Sequence, residues 1–333
     1  MRRLEDFPRV KLAFLPTPLE ELQRIGDSLG IRLWIKRDDY TGFGGGGNKA
    51  RKMEFLMAEA LDAKAKVLIT TGGHQSNHAR MVAAVARRFG MESVLVLKGP
   101  IPDRWQGNLL LDRLLGARFE FIPHEEYFEK IDERMKAHAE EARNRGLVPY
   151  VVPLGGATPL GSLGYIQAVL EMSRQFEEMD LAPPEYIVTA IGSGGTQSGL
   201  EVGVRRFWPD TRVIGVSVSR EKAFFEDRIS RFATEAAELL EWPYTVRPED
   251  LWIEDGYVGP GYGVPSEGSV AAIRLLADME SVFLDPVYTG KAMDGLLQLV
   301  RKGAVKQGKR VLFLHTGGQP SLFAFADALS GKA

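Results

Sequence analysis

Apolar positions along this chain follow two alternating patterns. Short runs rich in β-branched residues at 33–36, 67–70, 93–97, 119–122, 150–153, 186–190, 213–218 and 310–315 predict strands. Between them, apolar residues recur with the helical period over 50–63, 76–88, 127–145, 162–178, 197–207, 267–278 and 289–302. Strand followed by helix, repeated, predicts an α/β chain with a parallel sheet covered by helices on its faces and ligands at the C-terminal ends of the strands. Eight strands are too many for one compact mononucleotide-binding unit, yet no linker, repeat or low-complexity tract marks a domain boundary.

Composition narrows the function. With 333 residues, 44% of them hydrophobic, the chain can bury a large core in two domains or one large unit. Its 42 Lys and Arg nearly balance 44 Asp and Glu, and without a basic block or acidic tail nucleic acid is not an expected partner. The absence of cysteine removes disulfides, thiolate metal sites and a cysteine nucleophile, and is compatible with a reducing compartment. The start Met1-Arg-Arg-Leu-Glu-Asp-Phe-Pro lacks the apolar core of a signal peptide, and no stretch is apolar for long enough to cross a bilayer. The expectation is a cytoplasmic protein with no membrane contact.

The chemistry concentrates where predicted strands give way to helices. Thr41-Gly-Phe-Gly-Gly-Gly-Gly-Asn-Lys49 delivers a lysine to a helix start, although a plain strand-to-helix turn with a solvated lysine has the same composition. It ends Asn-Lys-Ala, without the hydroxyl that a nucleotide-binding P-loop supplies to magnesium. Gly42, Gly44 and Gly47 match G-x-G-x-x-G, but the next strand ends in threonines where a dinucleotide site needs an acid. In Gly72-Gly-His-Gln-Ser-Asn-His78, the side chains of Gln75, Ser76 and Asn77 stand at a helix N-terminus, suited to an amino-acid carboxylate. His74 and His78 have i,i+4 spacing but neither an intervening Glu nor a third ligand, so no metal is expected. Gly192, Ser193, Gly194, Gly195 and Thr196 form a second cradle, suited to a phosphate that is held without being cleaved. Phe313-Leu-His-Thr-Gly-Gly318 places Thr316 at the same sheet edge, and Tyr262 and Tyr288 stand out in loops.

In this order the segments resemble the family that contains D-cysteine desulfhydrase and 1-aminocyclopropane-1-carboxylate deaminase, within the tryptophan-synthase-β-like pyridoxal-phosphate (PLP) fold, fold type II. The match begins at Pro16-Thr-Pro-Leu and Trp34-Ile-Lys-Arg-Asp-Asp39. It continues through Gly47-Asn-Lys49, Gln75-Ser-Asn-His78 and Gly192-Ser-Gly-Gly-Thr196, and closes at Asp285-Pro-Val-Tyr288 and His315-Thr-Gly-Gly318. The resemblance implies two open parallel-sheet domains, with 1–49 and 162–333 holding the cofactor and 50–161 inserted as a smaller domain, commonly in a homodimer. It implies that Lys49 is the Schiff-base lysine, that Asn77 stands beside the cofactor's phenolic oxygen, and that Lys52 with the 192–196 loop binds its phosphate. Thr316 then faces the pyridine nitrogen, Gln75, Ser76 and Asn77 receive the substrate, and Ser76, Tyr262 and Tyr288 join Lys49 in catalysis. A hydroxyl at that nitrogen need not keep it protonated, which suits elimination better than transamination.

The reaction implied is β-elimination from D-cysteine, giving pyruvate, sulfide and ammonia. The cyclopropane deaminase pattern carries Glu directly after the second tyrosine, whereas this chain has Thr289. An L-cysteate sulfo-lyase is a further alternative if a protonated His74 favours a sulfonate, and a non-catalytic carrier of PLP or a phosphate ligand is the alternative from another class.

Overall fold

The computed structural model describes residues 1–331. Its first half runs β1 (Leu19–Glu21), α1 (Gln23–Leu29), β2 (Arg32–Arg37), α2 (Lys49–Asp62), β3 (Val67–Gly73), α3 (Asn77–Arg88), β4 (Glu92–Lys98), α4 (Asn108–Leu114), β5 (Arg118–Ile122), α5 (Tyr127–Asn144) and β6 (Pro149–Val151). The second half runs α6 (Pro159–Glu178), β7 (Tyr186–Ile191), α7 (Gly195–Phe207), β8 (Arg212–Ser217), α8 (Lys222–Leu239), β9 (Trp252–Glu254), α9 (Glu267–Glu280), α10 (Thr289–Arg301), β10 (Arg310–His315), α11 (Gln319–Leu322) and α12 (Ala326–Ser330). Two sheets result. The larger has the order β1-β2-β10-β7-β8-β9, parallel except for β1 against β2, and the smaller has the order β5-β4-β3-β6, parallel throughout. The α/β class with parallel strands is the one the alternation predicts, and the division into two sheets is the one the resemblance implies.

The central strands are apolar on both faces because helices cover both. Leu33, Ile35, Val311 and Phe313 pack with Met293 and Leu296 of α10 on one side, while Trp34, Leu312 and Leu314 pack with Tyr165, Met172 and Phe176 of α6 on the other. This is the two-residue alternation of a pleated strand, doubled in hydrophobicity by burial on both sides. Each such side chain contributes about 1.5–3 kcal/mol by leaving water. Helices α6 and α7 approach closely at Gly199, where a Cβ would stand 2.2 Å from the Ser162 carbonyl oxygen.

Polar burial fixes the start of α2. Arg51 is buried, and its guanidinium donates twice to Asp38, through Nε and Nη2 at 2.8 Å each, and twice to Glu171 of α6 at 2.9 Å each. Lys36 donates to Glu171 at 2.6 Å and to the Thr17 carbonyl at 2.7 Å, and the Tyr165 hydroxyl donates to Asp38 at 2.6 Å. The segments Pro16-Thr-Pro-Leu and Trp34-Ile-Lys-Arg-Asp-Asp39 thus meet in one network that pins the first turn of α2, two residues beyond Lys49, against β2 and α6.

Asp112 of α4 is buried with no partner for either carboxylate oxygen among the described residues, and burial pushes its carboxyl up to about 8. A raised acid favours the unfolded chain once pH exceeds the unfolded value, so its contribution to stability falls as pH climbs towards about 8 and is flat above. Asp112→Asn is therefore expected to be more resistant to urea than the parent, by a margin that grows from pH 5 to pH 8. Paired unfolding curves across that range check it, and a margin independent of pH would contradict the assignment.

Candidate active site

Strands β2, β10 and β7 are neighbours, so the loops leaving their C-terminal ends converge. The pocket at that edge is lined by Lys49 and Asn48 from the first loop, Thr316 from the second, and Gly192, Ser193, Gly194 and Thr196 from the third. Asn77 reaches it from the smaller sheet and Tyr288 from the turn before α10. Five separate sequence signals therefore meet at one place.

The 192–196 loop is a cradle. Gly194 adopts φ +90° and has no side chain with which to cap α7, so the first N–H groups of that helix remain available to a ligand. A Cβ on Gly195 would stand 2.9 Å from Ala157 Cα and 3.0 Å from Lys52 Nζ, which shows how closely the Lys52 amine approaches this helix start. Asn48 Nδ2 donates to Thr196 Oγ1 at 3.0 Å, leaving the threonine hydroxyl proton free, and Arg228 Nε donates to the Ser193 carbonyl at 3.0 Å. The pocket lining contains no carboxylate. Burial lowers the Lys52 amine well below its ordinary value, with the Lys49 amine adding to the effect, and burial lowers Lys49 to about 8. Two crowded, desolvated amines beside an uncapped helix start fit an anion, and the residues present fit the phosphate and aldehyde of PLP.

A cleft of about 570 Å³ lies beside this pocket, shares Lys49, Ser193 and Tyr288 with it, and adds Ser76, His78 and Tyr262. Ser76 caps α3, its Oγ accepting from Ala79 N at 3.1 Å, which leaves its hydroxyl proton for a ligand at the same helix start. Tyr262 and Tyr288 are hydrogen-bonded hydroxyl to hydroxyl, with ring centroids 5.9 Å apart. Burial pushes Tyr262 up to about 12 and Tyr288 well above its ordinary value, so both hold their protons at neutral pH. Glycines make room for them: a Cβ on Gly192 would lie 2.9 Å from the Tyr288 ring, and one on Gly73 would lie 3.0 Å from the Tyr262 ring.

Gln75 is not brought to the pocket. Its Oε1 accepts from Asn108 N at 2.8 Å and its Nε2 donates to the Gln106 carbonyl at 3.1 Å, so the side chain clamps the turn before α4. His74 is also absent from the cleft, packing edge-on against Phe121 at 5.6 Å, and burial lowers its pKa, so a protonated His74 does not serve a sulfonate. His78 Nε2 lies 2.9 Å from Thr70 Oγ1, and since that hydroxyl donates to Val152 O, the histidine is the donor. Among the described residues no group of three or more His, Asp or Glu is placed to hold a metal, and no helix is long and apolar enough to cross a membrane.

The cleft also holds residues that sequence reasoning missed: Lys98, Tyr127, Phe128, Arg220 and Arg228. Arg220 lies 4.2 Å above the Phe128 ring, a contact between α5 and the turn that leads from β8 to α8 that no local motif announces.

Thr289 lies outside both cavities. Buried, it accepts from Asp285 N at 2.7 Å and donates to Asp285 Oδ1 at 2.8 Å, while the same carboxylate receives the N–H groups of Val287, Tyr288 and Thr289. Thr289→Glu sets a second carboxylate against Asp285, so the expected outcome is a less stable protein with no gain in sulfide release from D-cysteine. A marked rise in that rate, read by a sulfide assay on the loaded variant, would contradict this placement.

The family model described as "Pyridoxal-phosphate dependent enzyme" matches residues 10–317. D-cysteine desulfhydrase from Salmonella newport (strain SL254) is 41% identical over 330 residues, covering 98% of each chain. A crystal structure described as an ACC deaminase homologue superposes with a TM-score of 0.90 at 40% identity, covering 98% of this chain and 97% of its own. Threonine deaminase isoform 2 from Solanum lycopersicum, at 18% identity and a TM-score of 0.69, shares the fold. The lysine delivered to a phosphate cradle and the full-length match agree: the chain belongs to the pyridoxal-phosphate dependent enzymes.

Proposed function

We propose that this enzyme is a lyase that eliminates sulfide from D-cysteine, with pyruvate and ammonia as the other products. The observation that carries the reading is the placement of the Tyr262–Tyr288 pair and the Ser76 hydroxyl in one cleft with Lys49. The full-length identity to D-cysteine desulfhydrase supports the choice of substrate.

When bound, PLP supplies an electron sink for the α-carbon of the amino acid. Lys49 would be its covalent anchor and, as a free amine, the base for the α-proton. Its low pKa makes the neutral amine accessible near pH 8. Ser76 and the start of α3 receive the substrate carboxylate, with Asn77 beside them. Lys52 and the N–H groups of the 192–196 loop hold the phosphate, and Thr316 faces the pyridine nitrogen as a neutral partner. The phenol pair, protonated at neutral pH, donates to the departing sulfur. We include in this reading the domain division 1–49 with 162–333 against 50–161, which the separation of the two sheets supports, and a cytoplasmic homodimer.

One observation favours a second reading. Lys98, Arg220 and Arg228 border the cleft and none is in a salt bridge among the described residues, a setting that also suits the sulfonate of L-cysteate. Product stoichiometry tests the first reading: one sulfide, one pyruvate and one ammonia per D-cysteine consumed. Pyruvate without sulfide would contradict it.

A further inference from the structure

Asn77 lines the pocket that holds Lys49. A side-chain amide offers a donor on one side and an acceptor on the other, and only the donor stabilises negative charge on a facing oxygen. The buried surroundings of Asn77 select the donor.

Arg80, fully buried three residues along α3, donates through Nε to Asn108 Oδ1 at 2.7 Å. Its remaining nitrogens hold the glycine loop that leads to Lys49, donating to the Gly44 carbonyl and, at 2.9 Å, to the Gly46 carbonyl. A guanidinium only donates, so the Asn108 atom facing it is the oxygen. Asn108 Nδ2 is thereby turned the other way, where it donates to the Gln75 carbonyl at 3.0 Å and to Asn77 Oδ1 at 2.8 Å. The Asn108 backbone is itself clamped by the Gln75 side chain. With Oδ1 occupied as an acceptor, the group Asn77 has left for a ligand is its N–H donor.

We propose that Arg80 and Asn108 form a one-way hydrogen-bond relay that holds the Asn77 donor towards the phenolic oxygen of bound PLP, making Asn108 a positioning residue for the ionisation of the cofactor. The inference rests on the placement of Asn77 beside that oxygen. A carboxylate of the same size at 108 keeps Arg80 satisfied but has nothing to donate. Asn77 then turns over to supply the missing donor and presents its own oxygen to the cofactor.

The test is the absorption spectrum and apparent dissociation constant of PLP on three purified variants, with circular dichroism as the check on folding. In Asn108→Asp the visible band is expected to move towards the shorter-wavelength, neutral-phenol form, and the dissociation constant to rise roughly 10- to 100-fold, the cost of one hydrogen bond to a charged group. Asn108→Ala, which removes the donor without adding charge, moves the band the same way by less. Asn77→Ala tests the underlying placement. If its band shifts while the folded Asn108 variants keep the parent spectrum, the relay is overturned and the placement survives. If Asn77→Ala itself leaves the band unchanged, the placement fails and the relay with it.

Discussion

Lys49→Ala is expected to lose at least about 10⁴-fold in turnover, because the residue anchors the cofactor and moves the α-proton. The fold should persist, since the change removes a buried amine whose desolvation already costs free energy, as its lowered pKa shows. The neighbouring amine then serves as a control. Lys52 Nζ donates to the Gly155 carbonyl at 3.3 Å and approaches the start of α7, so it cannot occupy the position of Lys49 without abandoning the phosphate cradle. Borohydride reduction of the loaded parent, followed by peptide mapping, should place the label on Lys49 alone, and the variant should take none. Full activity in the variant, or a label on Lys52 in the parent, would end the assignment.

The second large effect is on stability. Arg51→Ala leaves Asp38 fully buried and Glu171 largely so, facing each other with only Lys36 between them. Breaking a buried ion pair from one side costs about 3–5 kcal/mol, against about 0–1 kcal/mol for an exposed one. The guanidinium holds both carboxylates below their usual range, so protonating them is the route by which the variant relieves the strain. Its deficit should therefore shrink as pH falls below 5, which denaturant midpoints at several pH values will show. A loss within the range of an exposed pair would mean that the network does not secure α2. Because Lys49 heads that helix, weaker PLP binding should accompany the loss of stability.

Much of this was legible in the residues. Every predicted strand is present to within a few residues, the central ones because strands buried on both faces are continuous apolar runs, and β5 and β6 because aromatic and β-branched residues mark them even though they are only partly buried. Strands β1 and β9 escaped, since Leu-Glu-Glu and Trp-Ile-Glu carry charge in place of the β-branched run that marks the equally short β6. Helix α8 escaped despite a readable signal: Phe225, Ile229, Phe232, Ala233 and Ala236 are buried at helical spacing, masked by the charged residues between them. At the site, the glycine turns marked the strand ends, and the sheet order brought those ends together. Gln75 could not be placed from sequence, as its partners lie about thirty residues away in a turn with no motif of its own. Arg220 was hidden for the same reason, its contact with Phe128 being created only when the two sheets face each other.

The most direct measurement is kcat/KM of the PLP-loaded enzyme for D-cysteine, L-cysteine, L-cysteate, D-serine and 1-aminocyclopropane-1-carboxylate, read as 2-oxo-acid release under one set of conditions. The account predicts the highest value for D-cysteine, with sulfide appearing in step with pyruvate. A higher value for L-cysteate would assign the cationic cleft to a sulfonate, a higher value for the cyclopropane would remove the weight placed on Thr289, and either result would contradict the central claim.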